Sequence, residues 1–235
     1  MHPTADTIFH KSSTSLQLWF YAMFLASQTR CGISAKQLER EIGVTYKTAW
    51  RMLNLIRNQL MDEMDSEPLS GEVEVDETAM GGKPRASDGP MTRQEAVKWA
   101  KEKKTTVVAM VERGGRVRAM LAETREQRPV RALVHEHVLP ESIVYTDEWV
   151  GYRKLDQHYA AHRRIRHAEK IYAEGDVHTN TVEGFFGNMK RGIAGTYHAV
   201  SRKWLQGYLN EFSGRYNRRD DDRAMFFSLI ETAAR

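Results

Sequence analysis

The stretch that decides the fold is GEVEVDET, residues 71–78. Apolar and acidic side chains alternate along it, which is typical of a β-strand with one buried face. Its two valines take one face of the strand, and three carboxylates share the other: Glu72, Glu74 and Asp76. Glu77 lies on the valine side, so it points away from Asp76. The pattern therefore predicts a strand that presents Asp76 on a polar face.

The signals downstream of this strand follow an α/β order. Strands are predicted at 105–112, 116–122 and 142–146, with a hairpin turn at 113–115. Helices are predicted at 129–137, 149–155, 180–192, 201–217 and 222–234. Residues 85–104 are expected to form a polar excursion with a short helix, and 162–178 an irregular stretch with room for one short strand. This succession predicts a sheet with flanking helices.

Three acidic side chains are placed so that they can meet at one edge of this sheet. Asp76 lies inside the first strand, Asp147 directly follows the strand at 142–146, and Glu183 lies in the first turn of a later helix. Ligands of open α/β sheets bind at strand ends. Carboxylates hold hard divalent cations, and two such cations about 4 Å apart can bridge the attacking and leaving oxygens of a phosphodiester. We therefore expect Asp76, Asp147 and Glu183 to bind two Mg²⁺ ions, with Mn²⁺ as a substitute.

Residues 34–61 match a helix-turn-helix. Ser34 can cap a helix over 35–42, a tight turn follows at Gly43, and Thr45 can cap a second helix that runs to about residue 61. The amino end of the second helix is where such motifs read bases. A structural helix pair with no DNA contact is the alternative interpretation.

Basic residues are concentrated in two parts of the chain. The segment 30–60 has 6 basic and 2 acidic residues, and 150–219 has 13 Lys plus Arg against 6 Asp plus Glu, although the whole chain carries only +4. This distribution indicates a polyanionic partner, here double-stranded DNA, and a solvated basic face is the alternative interpretation of the charge. The candidate DNA-contacting residues are Lys47, Arg51, Lys190, Arg191, Arg215 and Arg218.

Composition argues against a membrane or disulfide-stabilised protein. No apolar run reaches the roughly 18 residues of a membrane span. The single cysteine, Cys31, can form neither an intrachain disulfide nor a four-cysteine zinc site. A reducing, cytoplasmic location in association with the bacterial nucleoid is expected, with no membrane partner.

The chain resembles the DDE transposases of bacterial insertion sequences, in the group that carries a zinc ribbon, a helix-turn-helix and a ribonuclease-H-like catalytic domain. The matching blocks are TIFHKS (7–12), SAKQLEREIGVTYKTAWRM (34–52), VEVDETAMGGK (73–83), YTDEWVGY (145–152) and HTNTVEGFFGNMKRGIAGTYHAVSRKWLQGYLNEFSGRYNRR (178–219). The resemblance spans nearly the whole chain, and its last block is the most specific.

This resemblance implies an activity and a site. It implies strand cleavage at element ends and transfer of the freed end to target DNA, by a homo-oligomer assembled on DNA. It implies a mixed ribonuclease-H-like sheet in which Asp76, Asp147 and a residue of the helix bind the metals. The family's basic residue seven positions after the helix acid corresponds to Lys190, which would steady a DNA phosphate.

The resemblance leaves two questions open. Members of the group differ in whether Asn or Glu is the third metal residue, and Asn180 and Glu183 lie three apart on one helical face. We favour Glu183, because a carboxylate neutralises a cation better than an amide does. The zinc-ribbon cysteines have no counterpart here, which is consistent with a shortened family member or a fragment.

Two other functions compete with a transposase. A structure-specific nuclease of the same fold would share the metals but not the joining step. A DNA-binding remnant with a decayed catalytic domain would have neither activity. The intact acidic residues and Lys190 argue against decay, and the missing zinc ribbon argues for it. The expected organisation is a helix-turn-helix segment at 1–61, a linker at 62–70, the catalytic domain at 71–219 and a terminal helix at 220–235.

Overall fold

The computed structural model describes residues 4–63, 67–82, 89–123, 126–165, 178–221 and 224–234. Packing divides the chain into two compact units. The helical unit comprises residues 1–66, 189–198 and 206–235, and the sheet unit comprises 67–188 and 199–205. The break after residue 66 falls within the predicted linker, whereas the predicted catalytic span contributes to both units. Compactness does not measure independent folding, so the predicted domain bounds stay a prediction.

The sheet unit is built on five strands in the order β3-β2-β1-β4-β5. Their bounds are β1 Glu72–Met80, β2 Thr105–Glu112, β3 Val117–Leu121, β4 Ile143–Thr146 and β5 Ala161–Arg164. β1, β2 and β3 pair antiparallel, while β4 is parallel to both β1 and β5. This mixed sheet with flanking helices confirms the predicted α/β, ribonuclease-H-like fold class.

The two faces of the sheet follow from the alternation read in β1. Val73 and Val75 are fully buried and share a hydrophobic core with Val130 and Val134 of helix α5, so α5 covers the valine face. Glu74 and Asp76 lie on the opposite face. The helices of this unit are α4 Arg93–Lys103, α5 Gln127–His137 and the first part of α6 Asn180–Gly192.

The helical unit begins with α1 Leu16–Gln28, α2 Ala35–Ile42 and α3 Tyr46–Leu55, and α3 continues through a π-turn to residue 63. Ser34 accepts a hydrogen bond from the Gln37 amide and Thr45 accepts one from the Thr48 amide, as N-caps do. Gly43 ends α2 in the left-handed conformation that glycine adopts most readily, which allows the tight turn into α3. The structure therefore has the two predicted helices joined by a tight turn, and their assignment as a helix-turn-helix stays a prediction.

The carboxy-terminal helices are α7 Arg202–Asn217, which belongs to the helical unit from residue 206 onward, and α8 Met225–Ala233. Glu211 of α7 is buried with two guanidinium groups, Arg57 Nε at 2.8 Å and Arg215 Nη2 at 2.7 Å. Burial raises the pKa of Glu211, but the two arginines outweigh it and hold the pKa below its ordinary value. A buried carboxylate persists here because it is paired and hydrogen-bonded.

One predicted helix is absent in its expected form. Residues 149–155 were expected to form a helix, but the structure has two 3₁₀ turns, Val150–Tyr152 and Leu155–Gln157, separated by Lys154 in the left-handed conformation. The possible short strand within 162–178 is realised as the end of β5, and 166–177 lie outside the described residues. The same holds for 83–88 of the polar excursion and for residues 222–223.

Candidate active site

Asp76 and Asp147 are brought together by the parallel pairing of β1 with β4. The register places Glu74 opposite Tyr145. Continuing it by two residues places Asp147 opposite Asp76, since both pairs are 71 residues apart in sequence. The paired residues themselves end at Glu74 and Tyr145, and Asp147 directly follows β4, so the register brings Asp147 beside Asp76 of β1.

The segment after β4 fixes the Asp147 carboxylate. Its Oδ1 accepts a hydrogen bond from the Trp149 amide at 2.9 Å. The Trp149 ring packs edge-to-face on Tyr152, with 5.2 Å between the ring centroids, and it covers Gly151 so closely that a Cβ there would overlap the ring. The predicted helix is replaced by tight turns because Asp147 and Trp149 bend the backbone here.

Glu183 enters the site from the first turn of α6. Thr179 precedes this helix, and its carbonyl accepts the Glu183 amide at 3.1 Å while its Oγ1 lies 3.3 Å from the Glu183 carboxylate. Thr179 is buried, whereas Asn180 and Glu183 are exposed at the beginning of the helix. Both candidates for the third metal residue therefore lie in the same helical turn.

The electrostatics of Asp76 show that the three carboxylates are neighbours. Burial raises the pKa of Asp76 to about 7, and the negative charges of Glu77, Asp147 and Glu183 contribute to the rise. The Glu77 amide donates to Asp76 Oδ1 at 2.8 Å, which opposes the rise without cancelling it. Clustered carboxylates of this kind are typical of functional sites, because such clusters are unfavourable for folding.

The carboxylates have the chemistry of a divalent-cation site, but they are not gathered around one point. Within the described ranges, no three His, Cys, Asp or Glu side chains are close enough to hold one metal ion. The negative charges of Asp147 and Glu183 nevertheless raise the pKa of Asp76, and a cation among these oxygens would offset that repulsion. The donor set fits ions held by parts of the cluster better than a single fully enclosed ion.

A second buried carboxylate lies on the same face of β1, and sequence reasoning assigned it no role. Glu74 is fully buried and accepts hydrogen bonds from the Thr181 amide at 2.8 Å, Thr181 Oγ1 at 3.0 Å and the Val182 amide at 3.1 Å. Arg113 Nε donates to the same carboxylate at 2.9 Å. The strand alternation placed Glu74 on the same face as Asp76. Its hydrogen-bond donors Arg113 and Thr181 could not be predicted, because they lie 39 and 107 residues away in sequence.

Tyr152 was also missed. Its hydroxyl donates to Glu77 Oε2 at 2.7 Å, and burial together with the charge of Glu77 raises the pKa of Tyr152 well above its ordinary value. Glu77 faces away from Asp76, as the strand pattern predicted, and Tyr152 provides its partner there. This hydrogen bond links the carboxyl half of β1 to the turn that follows Asp147.

The predicted DNA-contacting residues differ in what surrounds them. Lys47 and Arg51 are exposed one turn apart on α3, and Lys190 and Arg191 are exposed near the end of α6. Arg218 is half-buried just after α7 and donates to the Gly214 carbonyl at 3.4 Å.

Arg215 has a different environment from these residues. Its guanidinium donates to Glu211 and to the carbonyls of Ala26 and Thr29 at the end of α1. These bonds favour a structural role for Arg215 over the predicted phosphate contact.

Comparison with known proteins gives the family. The ISXO2-like transposase domain matches residues 68–217, which include the whole sheet and all three carboxylates. The chain therefore belongs to this family of insertion-sequence transposases, as the sequence resemblance predicted. No helix among the described residues is long and apolar enough to cross a membrane.

Two relatives agree with this membership. The chain is 29% identical over 236 residues to an uncharacterised protein in transposable element ISH50 of Halobacterium salinarum, covering 97% of this chain and 79% of that protein. It is 32% identical over 85 residues to an uncharacterised transposase-like protein of Haemophilus influenzae, covering 36% of this chain and 68% of that protein.

The packing of Trp149 over Gly151 gives a testable expectation. Gly151→Ala should lower the free energy of unfolding by about 1–3 kcal/mol, because the added methyl group displaces the ring. Gly184→Ala is the matched control, since a Cβ there meets nothing within 4 Å and alanine favours a helix. Urea unfolding measures both variants, and equal stability of the two would contradict the described packing.

Proposed function

We propose that this chain is a DDE transposase that cleaves a DNA strand at the ends of its element and joins the freed 3′-hydroxyl to target DNA. The observation that carries the proposal is the register of β1 and β4, which brings Asp147 beside Asp76 on the central strand of a mixed sheet, with Glu183 close enough for its charge to act on Asp76. Membership of a transposase family supplies the biological context. Cleavage and joining are both in-line displacements at phosphorus, so one site can serve both steps.

In this proposal the three carboxylates hold Mg²⁺, or Mn²⁺ in its place. The bound ions supply charge stabilisation for the attacking and leaving oxygens at phosphorus. The negative charges of Asp147 and Glu183 both act on Asp76. The Trp149 amide holds the Asp147 carboxylate in place, and the Thr179 cap restrains Glu183. These contacts fix the acidic side chains on rigid elements before a substrate arrives.

Glu183 is the third metal residue in this proposal, and Asn180 has an auxiliary role. The charge of Glu183 acts on Asp76, whereas a neutral amide at position 180 offsets none of a cation's charge. Lys190 follows Glu183 by seven residues, or two turns of α6, and would steady a DNA phosphate. A cation at that position would also limit the repulsion between DNA and the carboxylates.

DNA binding is assigned to exposed basic residues. The amino end of α3 presents Lys47 and Arg51, which would contact the element end through a helix-turn-helix. Lys190, Arg191 and Arg218 would add phosphate contacts. Assembly of a homo-oligomer on the paired element ends belongs to the same proposal.

One assay separates this function from its nuclease alternative. Labelled element ends are incubated with the protein, Mn²⁺ and a target plasmid, and cleaved and joined products are scored separately. A transposase yields both products, while a structure-specific nuclease yields cleavage without joining. A chain that binds the ends but yields neither product would be a decayed remnant, and the proposal would be wrong.

The two strand aspartates are expected to be essential. Asp76→Asn and Asp147→Asn should each lower single-turnover cleavage by more than about 100-fold, because loss of a direct ligand exceeds the effect of outer-shell changes. Asp156→Asn, which neutralises an exposed acid of the same unit, should cleave at the wild-type rate. Near-normal cleavage by either strand variant would remove that residue from the metal site.

Glu183 and Asn180 are expected to differ in the same assay. Glu183→Gln should nearly abolish cleavage over a titration of Mg²⁺ and Mn²⁺, because it removes a negative charge from a site that binds cations. Asn180→Ala should retain measurable cleavage. The reverse result, an inactive Asn180→Ala with an active Glu183→Gln, would show a site of the Asp-Asp-Asn kind.

The helix-turn-helix is expected to contribute to binding through phosphate contacts. Replacing Lys47 and Arg51 with Ala should reduce the slope of log affinity against log salt by about 1.8, at about 0.9 per phosphate contact. Replacing Lys98 and Lys103, two exposed lysines of α4, removes the same charge elsewhere and serves as the control. If both double variants change the slope equally, only overall charge matters and α3 has no specific role.

A further inference from the structure

Glu74 is an unusual residue for the interior of a sheet protein. Its side chain has no exposed surface, yet it is a carboxylate on a central strand. An isolated buried carboxylate is strongly unfavourable, so its donors must compensate for the lost hydration. Among the described residues, four hydrogen bonds reach it, three from the beginning of α6 and one from Arg113, and His178 Nδ1 lies 3.1 Å from Oε1.

The three hydrogen bonds from α6 satisfy donors in the first turn of that helix. The first amides of a helix have no partner within the helix, and the helix dipole places partial positive charge there. Glu74 accepts the amides of Thr181 and Val182 together with Thr181 Oγ1, so one carboxylate from another element caps the helix. The contact joins residues 107 positions apart in sequence, and it fastens α6 to β1.

Arg113 reinforces this contact from the turn after β2. Its Nε donates to Glu74, its Nη1 donates to Glu72 at 3.0 Å, and its Nη2 donates to the His178 carbonyl at 2.9 Å. Its guanidinium lies 3.9 Å from the centre of the Tyr145 ring, and Tyr145 is the β4 neighbour of Glu74 in the sheet. We call the contacts of Glu74 and Arg113 with the beginning of α6 the Glu74 clamp. Through them the clamp connects β1, β4, the turn after β2 and the residues just before α6.

The clamp lies beside the candidate active site at both of its ends. On β1, Glu74 is two residues from Asp76 and on the same face. On α6, the bonded amides of Thr181 and Val182 directly precede Glu183. Any movement of the first turn of α6 away from β1 would carry Glu183 away from Asp76.

We infer that Glu74 is a positioning residue, which holds the first turn of α6 on β1 and so sets the place of Glu183 relative to Asp76. Its effect on cleavage rests on the proposed function, whereas its effect on the helix does not. Glu74 is not expected to touch metal or DNA, since its carboxylate is enclosed and engaged by α6 and Arg113.

Two variants weaken the clamp without removing volume. Glu74→Gln keeps the shape and keeps one acceptor oxygen for the two helix amides, which both donate to Oε2. Its NH₂ group then takes the place of Oε1 and cannot accept from Arg113 Nε or Thr181 Oγ1. Thr181→Val removes only the Oγ1 bond and keeps the β-branched shape, so it serves if Glu74→Gln does not fold. Glu72→Gln is the matched control, because Glu72 shares the strand face and Arg113 but is about half exposed.

The first measurement is amide hydrogen exchange of the full chain, without DNA or metal. Glu74→Gln should speed exchange of the Thr181 and Val182 amides by at least about 10-fold, because their acceptor becomes a neutral amide oxygen and Arg113 loses its charged partner on β1. Thr181→Val should speed exchange of Val182 less, and Glu72→Gln should leave both amides unchanged. Exchange in the α1–α3 helices should match wild type in all three variants.

The second measurement is single-turnover cleavage with saturating element-end DNA, paired with the DNA dissociation constant. Glu74→Gln should lower the cleavage rate by about 10-fold to 100-fold, the usual effect of losing an outer-shell partner, while DNA affinity stays within twofold. Thr181→Val should fall between Glu74→Gln and wild type, and Glu72→Gln should cleave normally.

Three results would overturn the inference. Unchanged exchange at Thr181 and Val182 would show that the clamp does not hold the helix, and accelerated exchange throughout the chain would show a general stabilising role. Faster local exchange with normal cleavage would show that the position of the helix does not matter for the reaction. A wild-type chain that never cleaves would refute the proposed function instead, and the exchange results would then decide whether the clamp exists.

Discussion

The parallel pairing of β1 with β4 is the constraint on which the rest of the site depends. It aligns two segments 71 residues apart so that Asp147 comes level with Asp76. Parallel neighbours point equivalent side chains to the same face, so the pairing also sets Tyr145 beside Glu74. A shift of one residue in this register would turn one of the two aspartates toward the core formed with α5. The site is thus a consequence of strand register.

Two carboxylates on the same face of β1 have opposite environments. Glu74 is completely buried and bonded to the beginning of α6 and to Arg113. Asp76, two residues later, faces other carboxylates, and burial with their charges raises its pKa to about 7. The first arrangement stabilises the fold, while the second places like charges close together and is unfavourable by itself. The contrast indicates which acid serves the structure and which is available for chemistry.

Much of this could be predicted from the sequence, because the decisive signals are local. The alternation in 71–78 gives the strand and its polar face, and Ser34 and Thr45 mark the helix starts that the structure has. The partners of Glu74 and of Tyr152 could not be predicted, since each bond joins residues at least 39 positions apart. Residues 149–155 have a helical pattern in the sequence. In the structure the Asp147 carboxylate accepts a hydrogen bond from the Trp149 amide, and the backbone forms 3₁₀ turns instead of a helix.

In the proposed function, Asp76, Asp147 and Glu183 together bind the divalent cations that the reaction uses. The most direct measurement is anomalous X-ray scattering from crystals of the full chain grown with Mn²⁺, compared with crystals of Asp76→Asn grown the same way. Wild-type crystals should show Mn²⁺ bonded to carboxylate oxygens of these three residues, at occupancies that fall sharply in the variant. Mn²⁺ bound elsewhere, or bound equally in both crystals, would contradict the claim.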